Sequence, residues 1–312
     1  MSEKVFDSKN VILLKLNEDD LISFLVDTDL MDDGEYDWRI KDLVDLIIKV
    51  LPEYVFADYI GSDVNMFDLV DRLREAAKSL YKIKDYDIMR RAYLFKEQEA
   101  IDKVEKGGHK IRGEFGELLL HLLLRDYKNT IPLVSKVYFK DSPGVPAHGF
   151  DAVHISPDEE ILWLGESKLY ANAEGGLKAL LKDLDEHFNT DYLDEQFVII
   201  KKNLSNNTIP QRDYWIEQLT KCTKLSDRIK MINIPLLCVF PDNIYNQFID
   251  LGSSQAYVVH EKNIRELKAY FDKHYKHPLK DKLNIILFMF SIKDKDEFIS
   301  KLHERLWHLQ NI

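Results

Sequence analysis

The chain has 312 residues and a formal charge of −11, with 43 Lys and Arg against 54 Asp and Glu. Hydrophobic residues at 45% and charged residues at 31% exclude a disordered chain and supply a sizeable core, in one large domain or two smaller ones. No apolar run approaches the ~18 residues that span a bilayer, and two cysteines, Cys222 and Cys238, exclude a disulfide framework or a cysteine-rich zinc site. The start, MSEKVFDSKN, has no secretory apolar core, so a cytoplasmic protein without membrane contact is expected. The acidic balance argues against a free-standing, high-affinity nucleic-acid binder.

The first hundred residues read as a locally independent, mostly helical region. Val11–Leu16 reads as a strand, followed by an acidic loop with Asp27, Asp29, Asp32, Asp33 and Glu35. Apolar residues recur at helical spacing from Trp38 to Ala57, with a kink expected at Pro52. Helices are expected over Val64–Tyr81 and Asp87–Lys106. Gly107-Gly108 then marks a boundary between residues 1–106 and residues 107–312. The second part reads as mixed α/β. Arg112–Tyr127 is a strongly apolar helix. Strands are expected at Leu133–Lys140, Phe150–Ser156, Ile161–Tyr170, Phe197–Lys202, Pro235–Phe240, Ala256–His260 and Asn284–Ile292. Helices are expected near Gly175–Asn189, Asp213–Lys230, Asn263–Tyr275 and Asp294–Leu309.

The informative segment is GFDAVHISPDEEILWLGESKLY, residues 149–170. Two apolar strands flank a turn-like Pro157-Asp158-Glu159-Glu160. A hairpin symmetric about that turn, with Ser156 facing Ile161, sets Asp151 opposite Glu166. Opposed residues have Cβ atoms about 4.5–5.5 Å apart, close enough for two carboxylates to share one cation. Alternation puts Asp151 with Val153 and Ile155, and Glu166 with Leu162, Leu164 and Lys168. Charge at one end of a core-type face is costly unless a metal, a neighbouring cation or a phosphate compensates it. Upstream, RGEFGELLLHLLLRDY places Glu114, Glu117 and His121 on one polar stripe of a leucine-lined helix. Glu117 is the better candidate for a further metal-facing carboxylate, Glu114 stays an alternative, and His121 either reaches a phosphate or ends the stripe.

Asp151, then Glu166-Ser167-Lys168, behind a Glu-bearing helix, resembles the PD-(D/E)xK nuclease superfamily. That resemblance implies a restriction-endonuclease-like core: a helix, then a mixed central sheet flanked by helices, whose second and third strands carry the Asp and the (Asp/Glu)-x-Lys. It implies Asp151, Glu166 and Glu117 as ligands of Mg²⁺, or Mn²⁺ in its place, which oxygen donors suit. It implies Lys168 as the group that orients water or stabilises charge on the phosphate. The order RGEFGELLLHLLL, GFDAVHI, LWLGESKLY, then a late apolar strand and terminal helix, is similar over roughly residues 105–312 to the HamA family, nuclease subunits of the bacterial Hachiman anti-phage system. This implies DNA cleavage by an effector subunit working with a HamB-like superfamily 2 helicase. A restriction-type endonuclease with its own specificity is the alternative within the class, and a non-catalytic interaction subunit the alternative outside it.

One departure bears on substrate geometry. Many DNA-end-processing relatives carry Gln-x-x-x-Tyr on the helix after the ExK strand, whereas this helix reads GGLKALLKDLDEHF. Its Lys178 and Lys182, with Arg112, are candidate DNA contacts. The basic run Arg90, Arg91, Lys103, Lys106, Lys110 and Arg112 is favoured as a solvated helix face, although phosphate contact needs only distributed positive charge. His148 is read as a loop histidine, the two cysteines as buried small hydrophobes, and the acidic stretch from Asp27 to Asp37 as solvated loop. A nuclease at −11 should meet DNA poorly alone, which favours an effector fed by a partner.

Overall fold

The computed structural model describes residues 5–56, 69–80, 86–106, 113–134, 149–156, 160–204, 212–221 and 224–311. The N-terminal part begins with β1 (Ile12–Asn17), β2 (Leu21–Val26), β3 (Thr28–Leu30) and β4 (Tyr36–Trp38). Four helices follow: α1 (Ile40–Phe56), α2 (Leu69–Leu80), α3 (Tyr86–Tyr93) and α4 (Gln98–Lys106). Next come α5 (Glu114–Lys128), β5 (Ile131–Val134), β6 (Ala152–Ser156), β7 (Ile161–Leu169) and α6 (Ala173–His187). The chain continues through α7 (Thr190–Leu204), α8 (Arg212–Lys221), α9 (Leu225–Lys230), β8 (Ile232–Pro241) and α10 (Ile244–Gln247). It closes with α11 (Ser254–His274), β9 (Asn284–Ile292) and α12 (Lys295–Gln310).

Seven strands form one mixed sheet in the order β1-β2-β9-β8-β7-β6-β5. The middle four, β2, β9, β8 and β7, run parallel, and antiparallel strands extend both ends. Helices cover both faces of the parallel strands, so β8 and β9 are almost continuously apolar and buried rather than alternating. Side-chain parity sorts the core. Trp163, Phe288 and Phe290 point to the face packed by α1, α5 and α12. Leu162, Leu164, Leu287 and Met289 point to the face packed by α6, α7, α8 and α11.

The expected independence of residues 1–106 is corrected by this topology. β1 and β2 belong to the main sheet, where β2 pairs with β9, and α1 shares a core with α5. The expected break at Gly107-Gly108 itself lies outside the described residues, but no break in the sheet accompanies it. β2 escapes pattern reading because LISFLV is buried at every position, leaving no alternation to detect. The acidic loop also holds the small ribbon of β3 and β4.

Two expected strands are helical. Phe197–Lys202 lies inside α7, where Leu193, Phe197, Ile200 and Leu204 are buried at helical spacing while Val198 is 55% exposed. Ala256–His260 lies inside α11, whose N-cap Ser253 accepts from the Ala256 amide, with Val258 63% exposed. Both are short apolar runs whose length fits a strand or a buried helix turn equally. The long helices expected over 87–106 and 213–230 are each two helices, the first pair separated at Lys96, which takes a left-handed φ of 53°. Pro52 is accommodated inside α1. Of the strand expected over 133–140, residues 133 and 134 are described, and they end β5, which starts two residues earlier at Ile131.

Candidate active site

The β6–β7 hairpin has the expected register: Ser156 pairs with Ile161 and Ala152 with Gly165. The Asp151 amide donates to the Gly165 carbonyl at 2.9 Å, one residue out of step with the Ala152–Gly165 pairing. The expected direct pairing of Asp151 with Glu166 on one face is therefore not kept: the Asp151 side chain turns to Ser167 and stands beside Glu166 at the end of the hairpin. Gly165 is required here by close approach. A Cβ at that position would meet Leu120 Cδ2 at 2.9 Å and Pro235 Cγ at 3.0 Å, so its absence lets α5 and β8 close on the strand.

Glu166 and Lys168 face α6. Glu166 is 2% exposed, and its Oε1 lies 2.7 Å from His187 Nδ1. Lys168 Nζ lies 2.5 Å from Asp183 Oδ2, with a quarter of its side chain exposed. The imidazole of His187 stacks on Tyr192 with ring centroids 4.5 Å apart. Burial, then the neighbouring Asp151 charge, pushes the Glu166 carboxyl up to about 8, although His187 pulls the other way. Burial acts to lower Lys168, but its contact with Asp183 outweighs that and leaves the ammonium above its ordinary value. Burial also lowers His187, and Glu166 outweighs it, so the imidazole sits above its usual range.

Asp151 and Glu117 meet at the α5 side. Asp151 Oδ2 accepts from both the amide and the hydroxyl of Ser167, each at 2.9 Å. Gly116 brings α5 onto that serine, since a Cβ there would lie 3.0 Å from Ser167 Oγ. Glu117 is 6% exposed and accepts from the hydroxyl of Tyr54 on α1. The phenol of Tyr54 is raised well above its ordinary value by burial, then by Glu117, and further by Asp151 and Glu114. Glu117, Asp151 and Glu114 therefore act on one small volume, with Glu117 in direct contact.

His121 does not reach this volume. It is 2% exposed, with Nε2 3.0 Å from Glu53 Oε1 and Nδ1 3.1 Å from His154 Nε2. His154 Nδ1 in turn lies 2.8 Å from Thr130 Oγ1. The phosphate-contact reading of His121 is overturned: it belongs to a closed buried network.

The other candidates separate. Lys178 lies over the Tyr270 ring at 6.0 Å, and the exposed Lys182 pairs with Glu186 at 3.3 Å. These contacts lead away from Asp151 and Glu166. Arg91 pairs with Glu97, Lys103 with Glu99, and Arg90 lies over Phe95. Arg112, Lys110, His148 and Cys222 lie outside the described residues. Cys238 is a free, buried thiol, pushed up to about 12 by burial.

Sequence reading missed Asp183, His187, Tyr54 and Ser167 as site residues. Asp183 and His187 carried a signal, because they stand four apart on the helix that follows the ExK strand. Among the described residues, no group of three or more His, Cys, Asp or Glu is gathered closely enough to form a ready metal site. The donor chemistry nevertheless suits a hard divalent cation. Two neighbouring carboxylates provide oxygen ligands, and the buried Glu166 holds its proton to about 8 partly because Asp151 adds negative charge beside it. A cation between them would relieve that repulsion.

A family model described as HamA matches residues 3–306. The match includes the N-terminal strands and α1 as well as the α/β part. No curated protein matches the chain.

Proposed function

The chain belongs to the HamA family, Hachiman-type defence proteins, and on that premise we propose that it is a divalent-metal-dependent nuclease. In this reading it hydrolyses DNA phosphodiester bonds as the effector subunit of a complex with a HamB-like helicase. The observation that carries the reading is the placement of Asp151, hydrogen-bonded to Ser167, beside Glu166, with Lys168 two residues on and a helix bearing Glu117 next to them. The element order supports it. α5 precedes the antiparallel β5, β6 and β7, then α6, and β8 lies parallel to β7. Asp151 immediately precedes the second of these strands, and Glu166 and Lys168 sit on the third. This is the arrangement expected of a PD-(D/E)xK core.

Asp151 and Glu166 would hold Mg²⁺ or Mn²⁺, with Glu117 as supporting carboxylate. When bound, the cation supplies Lewis-acid polarisation of the phosphate and lowers the pKa of the attacking water. The chain's own groups do the rest. Ser167 fixes one oxygen of Asp151 through two hydrogen bonds. Tyr54 orients Glu117 from α1. Burial around Glu166 excludes water, which strengthens each electrostatic interaction there. Lys168 keeps its proton on Nζ and offers a fixed positive charge to the phosphate oxygens as negative charge grows on them. The net charge of −11 opposes unaided approach of DNA, which a motor partner overcomes.

The test is Mg²⁺-dependent cleavage of supercoiled and linear DNA by wild type and Glu166→Ala, each with and without a HamB-like helicase. Cleavage by wild type that disappears in the variant and depends on the partner is the expected result. Absence of cleavage in every combination would shift the reading to a non-catalytic interaction subunit. Partner-independent, sequence-specific cutting would shift it to a restriction-type enzyme.

A further inference from the structure

We infer that Asp183 and His187 of α6 are positioning residues that hold Lys168 and Glu166 in their working arrangement; this rests on the nuclease reading above. The carrying observation is a match of two spacings. Lys168 and Glu166 are two apart on a strand, about 6.6 Å by strand rise. Asp183 and His187 are four apart on a helix, about 6 Å by helix rise. The chain reverses between β7 and α6, so the later helix residue meets the earlier strand residue: His187 meets Glu166, and Asp183 meets Lys168. Both groups of the ExK strand are thus gripped by one helix in one register.

That helix is tightly fixed. Only three residues separate β7 from α6, and Asn172 caps α6 by accepting from the Gly175 amide at 2.8 Å. A Cβ on Gly176 would come 2.5 Å from Cys238 Sγ on β8, so the helix start lies against the sheet. Leu177, Leu180, Leu184 and Phe188 are buried beneath it. The His187 ring is also held, stacked on Tyr192 and edge-on to Phe150. A ring fixed on three sides presents Nδ1 to Glu166 in one direction, as the partners that orient metal ligands do elsewhere.

The alternative is that the two pairs merely fasten α6 to β7. Full-length protein with its helicase partner separates the two, using Asp183→Asn, His187→Phe and His187→Asn. The asparagine keeps an N–H donor near the place of Nδ1, and phenylalanine keeps the ring without a donor. Mn²⁺ binding, read from the free-ion electron spin resonance signal, should weaken at least tenfold in His187→Phe and less than threefold in His187→Asn. Asp183→Asn should lower kcat about tenfold with KM for DNA unchanged. Thermal midpoints, measured alongside, would expose a fastening role, in which stability falls while Mn²⁺ affinity and kcat stay at wild-type values; that result overturns the inference. Faster cleavage by Asp183→Asn also overturns it, marking the ion pair as a restraint. If wild type itself neither binds Mn²⁺ nor cleaves, the nuclease reading has failed and this inference with it. An active wild type with unaffected variants defeats the inference alone.

Discussion

On the α5 side of the β6–β7 hairpin, Glu53, His121, His154 and Arg125 are buried together; on the α6 side, the buried Glu166 meets Lys168, Asp183 and His187, which are only partly buried. The first set is closed and matched. Arg125 Nε donates to Glu53 Oε1 at 2.5 Å, and His121 approaches the same oxygen. Burial tends to raise Glu53, but His121 and Arg125 together hold it below its ordinary value. His154, buried and facing His121 and Arg125, is pushed well below its usual range. The second set opens to solvent at Lys168 and His187, and its central carboxyl is pushed the other way, up to about 8. Burial alone therefore does not mark a site. What distinguishes the α6 side is a carboxylate whose partners leave its charge undercompensated, beside a second carboxylate.

The sharpest way to break this contrast is to neutralise one carboxylate on each side. Glu166→Gln should reduce partner-dependent cleavage by about a thousandfold, roughly 4 kcal/mol of barrier. Glu53→Gln should leave kcat within a few-fold but destabilise the chain by about 3 kcal/mol, because Arg125 stays buried without its counter-charge. Cleavage rates and urea unfolding of the two variants check both halves. An inactive but stable Glu53→Gln would place the closed network in the chemistry and erase the distinction.

The pH dependence of stability sharpens the same point. Glu166 has an ordinary value of 4.5 and holds its proton to about 8 when folded. Between those values the folded chain binds a proton that the unfolded chain has released, so stability falls as pH rises through the window. Wild type should lose roughly 3 kcal/mol relative to Glu166→Gln between pH 5 and pH 7. Millimolar Mg²⁺ at pH 8 should restore part of that loss in wild type and nothing in the variant. Parallel stability curves for the two proteins would show that Glu166 carries no such burden.

How much of this the sequence disclosed depends on distance along the chain. The hairpin was legible because its turn and its two flanking apolar runs are local, and register then brought Asp151 to the Glu166 end of β7, while the step that turns its side chain to Ser167 was not legible. The expected fold class, α/β with a mixed sheet, followed from the same local patterns. Tyr54 and Glu53 were not legible, because α1 meets α5 across 63 to 72 residues of chain. LISFLV was hidden by its complete burial. Asp183 and His187 were visible as a helical pair, but their strand partners are set by the tight return from β7 into α6, which no periodicity reveals.

The smallest expected effect probes where the two sides touch. Gly116 of α5 faces Ser167, the residue that donates twice to Asp151. Gly116→Ala puts a Cβ 3.0 Å from Ser167 Oγ and 3.3 Å from its Cβ. Alanine favours the helix by up to about 1 kcal/mol, while the crowding costs about 1 to 3 kcal/mol. The net change should be a loss of about 1 kcal/mol, visible as a small drop in thermal midpoint. Relief by moving Ser167 would disturb Asp151, so cleavage should slow about tenfold. Gly116→Ala with Ser167→Ala removes the nearer clash and should regain stability without regaining activity, because Asp151 then lacks its hydroxyl donor. Recovery of both would mean that the serine hydroxyl does not orient Asp151, and that α5 and the hairpin meet there as packing surfaces only.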